Sequence, residues 1–498
     1  MRWVVAVVVV ATLAGACAGS GSEDATTTIR PTTGPTTTTT TAAPSTTSSA
    51  PPDTTVAPAA AAGASGIGDP FYPDLGNGGY DVDHYSLELD LDPVTSDLIA
   101  TTTIESVATM NLSRFSLDFT GFEVTSLHID GTPATYERQG SKLVVDQPTA
   151  IPTGTGFTTT VSYAGRPAQV ASRAISFGVG WQSTPSGHHY VVAEPDAAHT
   201  WFPTNDHPRD KATYTYRITA PSTLVAAANG VLTTTDTHDD ATTWTWDMTH
   251  HMASHLATIV IGNYQLITDP TASELTDVEI RHLLTPDLAD EPPPVLEQLG
   301  EMITVLEEFF GPYPFDAYGI AIIDPHFSPA LETQTLSLFS PMLLDERVMV
   351  HELAHQWFGN HVSVDRWQDL WISEGFATYA EWLWIEATQG QDAMHDAITT
   401  DEEMLWMTEP RPAAQPPPGD LYTLAVYQVG ARALHDIRLE VGDDTFFEIL
   451  TTFVDRYGGG TATADDLITL TSQLADRDLT PIFDDWLNDT DLPDLVLP

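Results

Sequence analysis

Between Asp69 and Leu266 apolar and polar residues alternate along the chain. Tyr85-Ser-Leu-Glu-Leu-Asp-Leu-Asp repeats every second position, as a strand with one buried face requires. The same alternation recurs in Ser126-Leu-His-Ile-Asp, Tyr214-Thr-Tyr-Arg-Ile and Thr243-Trp-Thr-Trp, with Gly, Pro and Asp turns between runs. Short strands so spaced predict a mostly antiparallel β domain over residues 67–266. Beyond Ile267 the spacing becomes helical. Helices are predicted from Pro294 to Phe310, closed by Gly311-Pro312, and from Asp345 to Phe358, Glu374 to Ala387 and Ala425 to Val441. A strand or two precedes Pro325, so residues 267–498 form a second, helix-rich domain. There is no internal repeat.

The first 66 residues follow neither pattern. Residues 1–17 read as an export signal: Arg2, an apolar run from Val4 to Leu13, then Ala14-Gly15-Ala16 before Cys17. The run is too short for a permanent membrane span. Cys17 is the only cysteine, which excludes an intrachain disulfide and a cysteine metal site. Its place after small residues resembles a bacterial lipoprotein cleavage site. Residues 18–66, almost all Thr, Ser, Pro, Ala and Gly, cannot bury a core and are expected to form a disordered tether. The protein is thus expected to be exported, as a cell-surface lipoprotein or, alternatively, in secreted form. Its only membrane contact would be a lipid at Cys17.

Charge removes further classes of function. The 498 residues carry 69 acidic and 18 basic side chains, a formal net charge of −51. Only Lys142 and Lys211 are lysines. Nucleic acid needs a basic face and is excluded as a partner; anionic lipid surfaces are disfavoured for the same reason.

Candidate chemistry centres on His351-Glu352-Leu353-Ala354-His355. On a helix, spacing of four sets both imidazoles on one face, and Glu352 stands beside them within reach of a water. A catalytic zinc needs a third protein ligand and an open fourth position. The residues leave two candidates. His361 lies six positions beyond His355, but the glycine such an arrangement needs three residues after His355 is Phe358, with Gly359 one place late. Glu374 opens the next predicted helix, which can return to the metal. His251 and His255 share the spacing of four, but in a stretch read as turn and strand, where it aligns nothing.

Longer motifs narrow the choice. His351-Glu-Leu-Ala-His-Gln-Trp-Phe-Gly-Asn360, Trp371-Ile-Ser-Glu-Gly-Phe-Ala-Thr-Tyr379, Phe310-Gly-Pro-Tyr-Pro-Phe315 and Trp201-Phe-Pro-Thr-Asn-Asp-His-Pro208 together resemble peptidase family M1. These are the gluzincin aminopeptidases related to aminopeptidase N and leukotriene hydrolase. The resemblance runs from Asp69 to the last residue. It implies an antiparallel β saddle-like domain followed by a helix-rich, thermolysin-like α/β catalytic domain, without the C-terminal helical domain of longer members. It implies one Zn²⁺ held by His351, His355 and Glu374, with Glu352 as general base. It assigns Tyr427, in Val426-Tyr-Gln-Val-Gly-Ala431, to the oxyanion. Glu332 and Glu194 would bind the free α-amine of a peptide, and Ala330 would line the substrate on the strand Pro329-Ala-Leu-Glu-Thr333. Tyr422, five residues before Tyr427, reads as packing, with a helper role as the alternative.

This sequence departs from the family pattern at Pro329, Thr333 and Gln428-Val429, which bears on specificity more than on catalysis. The function implied is a zinc aminopeptidase acting on peptides with a free N-terminal amine. The short C-terminus favours a more open site that admits longer peptides. Rival readings are a zinc endopeptidase, an epoxide hydrolase of the same family and a non-catalytic surface-binding protein.

Overall fold

Alternation in the first half becomes paired strands. The computed structural model describes residues 59–323, 329–408, 411–417, 419–489 and 491–493. The signal, Cys17 and residues 18–58 of the tether lie outside them.

The largest sheet has eight strands, in the order Val231–His238, Ala241–Ala253, Lys211–Pro221, Tyr80–Asp92, Asp97–Ala108, Gly156–Gly165, Glu123–Ile129 and Thr132–Pro133. All pairs are antiparallel except that of the third and fourth strands, Lys211–Pro221 with Tyr80–Asp92. Along Tyr80–Asp92 the buried positions are Tyr80 and Val82, then Tyr85, Leu87, Leu89 and Leu91. The phase slips by one residue where the pairing register shifts between Val82 and His84. A bulge there keeps both halves of the strand facing the core.

A second sheet of the β half bears on the site. It orders Gln169–Ala171, Gly178–Ser183, His189–Val192, Ile259–Gly262 and Val225–Ala228. Glu194 lies two residues beyond the end of the third of these strands.

The second half is richer in sheet than the sequence predicts. Its five strands run Gln265–Thr268, Glu279–Leu284, Ala317–Ile322, Ser337–Phe339 and Ala330–Leu331. Gln265–Thr268 straddles position 266/267 and pairs with Glu279–Leu284. The middle strand is buried at every position, so it shows no alternation. Ala330–Leu331 forms the sheet edge. Pro329 stands just before it, where a missing N–H costs no ladder bond, while its carbonyl accepts from Ser340 N at 3.2 Å.

Around this sheet pack the helices Leu299–Phe310, Glu346–Ala354, Trp371–Gln389, Gln391–Trp406, Gly430–Val441, Asp443–Tyr457, Ala464–Leu474 and Thr480–Leu487. Among the described residues no helix is long and apolar enough to cross a membrane.

Polar side chains fasten the two halves together. Lys211 Nζ donates to the carbonyls of Asn360 (2.8 Å), His361 (2.9 Å) and Gly460 (3.2 Å). Asp69 accepts from Trp367 N at 2.9 Å and pairs with His207 Nε2 at 3.1 Å. Asn229 Nδ2 donates to Gln334 O at 2.7 Å. Lys142, bound to Asp118 at 2.5 Å, is buried like Lys211. Neither lysine is spent on the surface, which leaves the exposed charge to acids and arginines.

Candidate metal centre and amine pocket

The helix Glu346–Ala354 starts at Asp345, whose carboxylate accepts from Arg347 N (3.0 Å) and Val348 N (3.1 Å), a side-chain cap on otherwise unpaired amides. It ends four residues before the predicted Phe358. The chain then turns so that Phe358 O faces back to His355 Nδ1 at 3.1 Å. Gly359 makes the turn at φ +118, and a Cβ there would lie 2.4 Å from Ser373 Oγ. Only glycine fits that position. Ser373 Oγ in turn stands 3.0 Å from His355 Nδ1.

The helix Trp371–Gln389 begins three residues before the prediction and carries Glu374 in its first turn. Glu374 Oε2 lies 3.2 Å from His351 Nε2 and 3.4 Å from His355 Nε2. One donor atom from each of the three residues falls within 4.8 Å of the others. Seven residues on, Glu381 Oε1 meets His351 Nδ1 at 2.7 Å. Both Nδ1 atoms are thus engaged from behind, which fixes the rings and directs the Nε2 lone pairs at one point. Two imidazole nitrogens, one carboxylate oxygen and engaged Nδ1 atoms fit a tetrahedral zinc with one open position.

His361 does not join this set. It packs edge-on against Phe315 at 5.8 Å. His251 sits in the strand Ala241–Ala253, and His255 in the turn Ser254–Leu256, its ring 5.0 Å from Trp367.

Electrostatics follow from burial and crowding. Burial alone would depress both imidazoles, but Glu332, Glu374 and Glu381 raise His351 and His355 above the ordinary histidine value. Burial likewise opposes charge on Glu374, yet the two histidines hold it below the usual range. Glu352 is 6% exposed, and its Oε2 has no hydrogen-bond partner among the described residues. Burial, then Glu332, push its carboxyl up to about 8, a range suited to proton transfer near neutrality.

A second carboxylate group adjoins the first. Oxygens of Glu194, Glu332 and Glu374 fall within 4.8 Å of one another, all three residues buried. Burial, then Glu332 and Glu374, push Glu194 well above the usual carboxylate range. Glu332 Oε1 is 3.9 Å from His355 Nε2. It follows the edge strand that carries Ala330, and Asn360 Nδ2 and Gln356 Nε2 hold its carbonyl at 2.7 and 3.1 Å. The Gln and Asn of the long histidine motif therefore serve this loop. Thr333 bonds to Leu336 O within the same loop.

Tyr427 lies in a π-helical turn, Ala425–Val429, and stacks on His351 with centroids 5.9 Å apart. Gly430, next along, packs against Gly375: a Cβ on either would stand about 3 Å from the other's backbone. That close approach draws the tyrosine turn onto the metal helix. Tyr422 is not mere packing, because its hydroxyl donates to Glu194 Oε1 at 2.8 Å.

Sequence reasoning missed Glu381, Ser373, Gln356 and Asn360 as supports. Glu381 had a legible signal, since position i+7 from Glu374 returns to the same helical face.

Residues 81–256 match the peptidase M1 N-terminal domain and residues 295–486 the peptidase family M1 domain. Crystal structures of an M1 zinc metallopeptidase from Deinococcus radiodurans superpose with a TM-score of 0.81 at 32% identity. They cover 87% of this chain and 100% of that one, and one is described as bound to a Tyr-Ser-Ala substrate. Aminopeptidase M1 of Arabidopsis thaliana is 26% identical over 300 residues, 55% of this chain and 34% of that protein. Aminopeptidase N of Streptomyces lividans is 25% identical over 325 residues, 60% of this chain and 38% of that protein. The chain spans about a third to a half of the length of the curated relatives it matches. With two domain matches in order and a 32% identical relative covered over its whole length, the chain belongs to peptidase family M1, whose members hold one catalytic zinc.

Proposed function

We propose that the protein is a zinc-dependent aminopeptidase that removes the N-terminal residue of peptides. His351, His355 and Glu374 would hold the ion. When bound, zinc supplies Lewis acidity, polarising the scissile carbonyl and making water acidic enough to lose a proton near neutral pH. Glu352 accepts that proton on its carboxylate and returns it to the departing amine, so the base is regenerated. Tyr427 donates its hydroxyl proton in a hydrogen bond to the oxygen that gains charge. Ala330, on the sheet edge, aligns the peptide backbone.

One observation carries the choice of an aminopeptidase over an endopeptidase. Glu194 and Glu332 bring two buried carboxylates against the metal set, with no lysine or arginine ion-paired to either among the described residues. Such a pair attracts a cation, and an N-terminal ammonium provides one at a fixed distance from the first peptide bond. A blocked terminus brings no cation to balance the two buried carboxylates, and is rejected. The peptide seated in the Deinococcus neighbour supports substrates of this class.

The test compares release of the first residue from a free tripeptide and its N-acetyl form, with chelator and after zinc is restored. Chelator-sensitive cleavage of the free form alone is expected. Equal cleavage of both forms would refute the amine-anchor reading and favour an endopeptidase. We further propose that the enzyme acts outside the cytoplasm on a lipid anchor at Cys17. Palmitate labelling that survives Cys17→Ala would contradict the anchor.

A further inference from the structure

Resting on the aminopeptidase reading, we propose that Tyr422 is a positioning residue that aims Glu194 at the substrate amine and ties the β half's anchor to the catalytic half. The hydrogen bond from its hydroxyl to Glu194 Oε1, 2.8 Å long, joins residues 228 positions apart. Glu194 comes from the β half, two residues beyond the strand His189–Val192. Tyr422 comes from the segment that leads into the turn bearing Tyr427.

That segment is held at both ends. A Cβ at Gly419 would lie 3.2 Å from Arg173 O of the β half, and Gly430 abuts Gly375 of the helix that carries Glu374. Tyr422 and Tyr427 are both half-buried, so each keeps one side open. Tyr427 stacks on His351 while Tyr422 reaches Glu194. A single stretch of backbone therefore sets the anchor and the oxyanion donor in register with the metal ligands.

Glu194 needs such a support for a physical reason. Its carboxylate is crowded within 4.8 Å of two others, and like charges favour rotamers that swing away. The Tyr422 hydroxyl on Oε1 opposes that swing and leaves the other oxygen for the ammonium. Packing alone would be served equally by phenylalanine, so Tyr422→Phe isolates the hydroxyl.

The test uses the full chain loaded with zinc, with alanine 4-nitroanilide and its N-acetyl form as substrates. For Tyr422→Phe, KM for the free amine should rise about tenfold, as expected for one hydrogen bond to a charged group. Zinc content should be unchanged and kcat should hold within about twofold, the pattern of a lost binding interaction. Alanine hydroxamate should lose about tenfold in affinity. Propionohydroxamate, which lacks only the amine, should lose none. In a Glu194→Ala background, Tyr422→Phe should add nothing further.

An unchanged KM and unchanged alanine hydroxamate affinity, in a protein that cleaves only the free substrate, would overturn the role of Tyr422 and leave the aminopeptidase standing. So would equal loss for both hydroxamates, which marks general damage to the site. Wild-type cleavage of free and acetylated substrates alike would overturn both.

Discussion

Replacing Glu381 by glutamine should weaken zinc binding without touching a metal ligand. Glu381 is 8% exposed and divides its two oxygens between His351 Nδ1, at 2.7 Å, and the Arg347 guanidinium. Burial opposes its charge, but Arg347 and His351 together hold it below the usual carboxylate range. It is therefore a full anion behind the imidazole, and it raises the electron density that His351 can offer at Nε2. Glutamine keeps the shape and loses the charge. Its amide also carries two donors, so it faces either Arg347 or His351 Nδ1–H with the wrong polarity.

The fold should survive, because Asp401 also binds Arg347, through two contacts, and leaves that cation paired. Loss of such a support typically weakens a metal site by about 10- to 100-fold, or about 1.4–2.8 kcal/mol. Competition with a chromophoric zinc chelator would read the affinity directly. Turnover measured against free zinc should shift to higher concentration and return close to the wild-type plateau. If zinc affinity were unchanged while turnover fell, Glu381 would act on the reaction rather than on the ligand, and the reasoning would fail.

Glu352→Gln should bind zinc normally and lose turnover by about 10²- to 10⁴-fold; zinc content and kcat measured on the same sample decide it. Tyr427→Phe should lower kcat by about 10²- to 10³-fold with zinc retained, and an effect confined to KM would contradict an oxyanion role. Stability should fall in acid through His255, whose burial lowers it from 6.5 to about 3. The unfolded chain takes up this proton between those values and the folded chain does not, so stability drops as pH falls below 6.5. By pH 5 the loss from this residue amounts to about 2 kcal/mol. Urea denaturation of wild type and His255→Phe at pH 7 and pH 5 should show a smaller acid loss in the variant.

The sequence made some of this legible because the physics was local. Alternation from Tyr85 to Asp92 needs only a pleated strand with one wet face, and it was read correctly from eight residues. The strand's start at Tyr80 was hidden because the register shift at Val82/His84 reverses the phase that alternation relies on. Ala317–Ile322 is buried on both faces, so periodicity carries no signal there and the five-stranded sheet was underestimated. The histidine pair was local too, since four residues of helix bring the rings to 4.8 Å apart.

Where the helix stops was not local. Asp345 to Phe358 is a good helical pattern, yet the chain leaves the helix after Ala354, and leaving it is what gives His355 its partners. A continued helix would keep the Phe358 carbonyl in its own hydrogen-bond ladder and point it along the axis, away from the His355 ring. Glycine at 359 permits the turn, and Ser373 from the next helix completes it. Local propensity yields to the needs of the metal ligand here, which is where a sequence reading is expected to miss. The same holds for Glu194. Nothing near it in sequence marks it as a partner of Glu332, and only the resemblance singled it out. Its meaning arises when a strand of the β half ends beside the edge strand of the catalytic half, and Tyr422 donates across the seam. On the proposed reading, an amine pocket assembled from both halves would couple substrate recognition to their docking. Weakening the seam at Lys211 or Asp69, far from the zinc ligands in sequence, should therefore be felt first in KM for free-amine substrates.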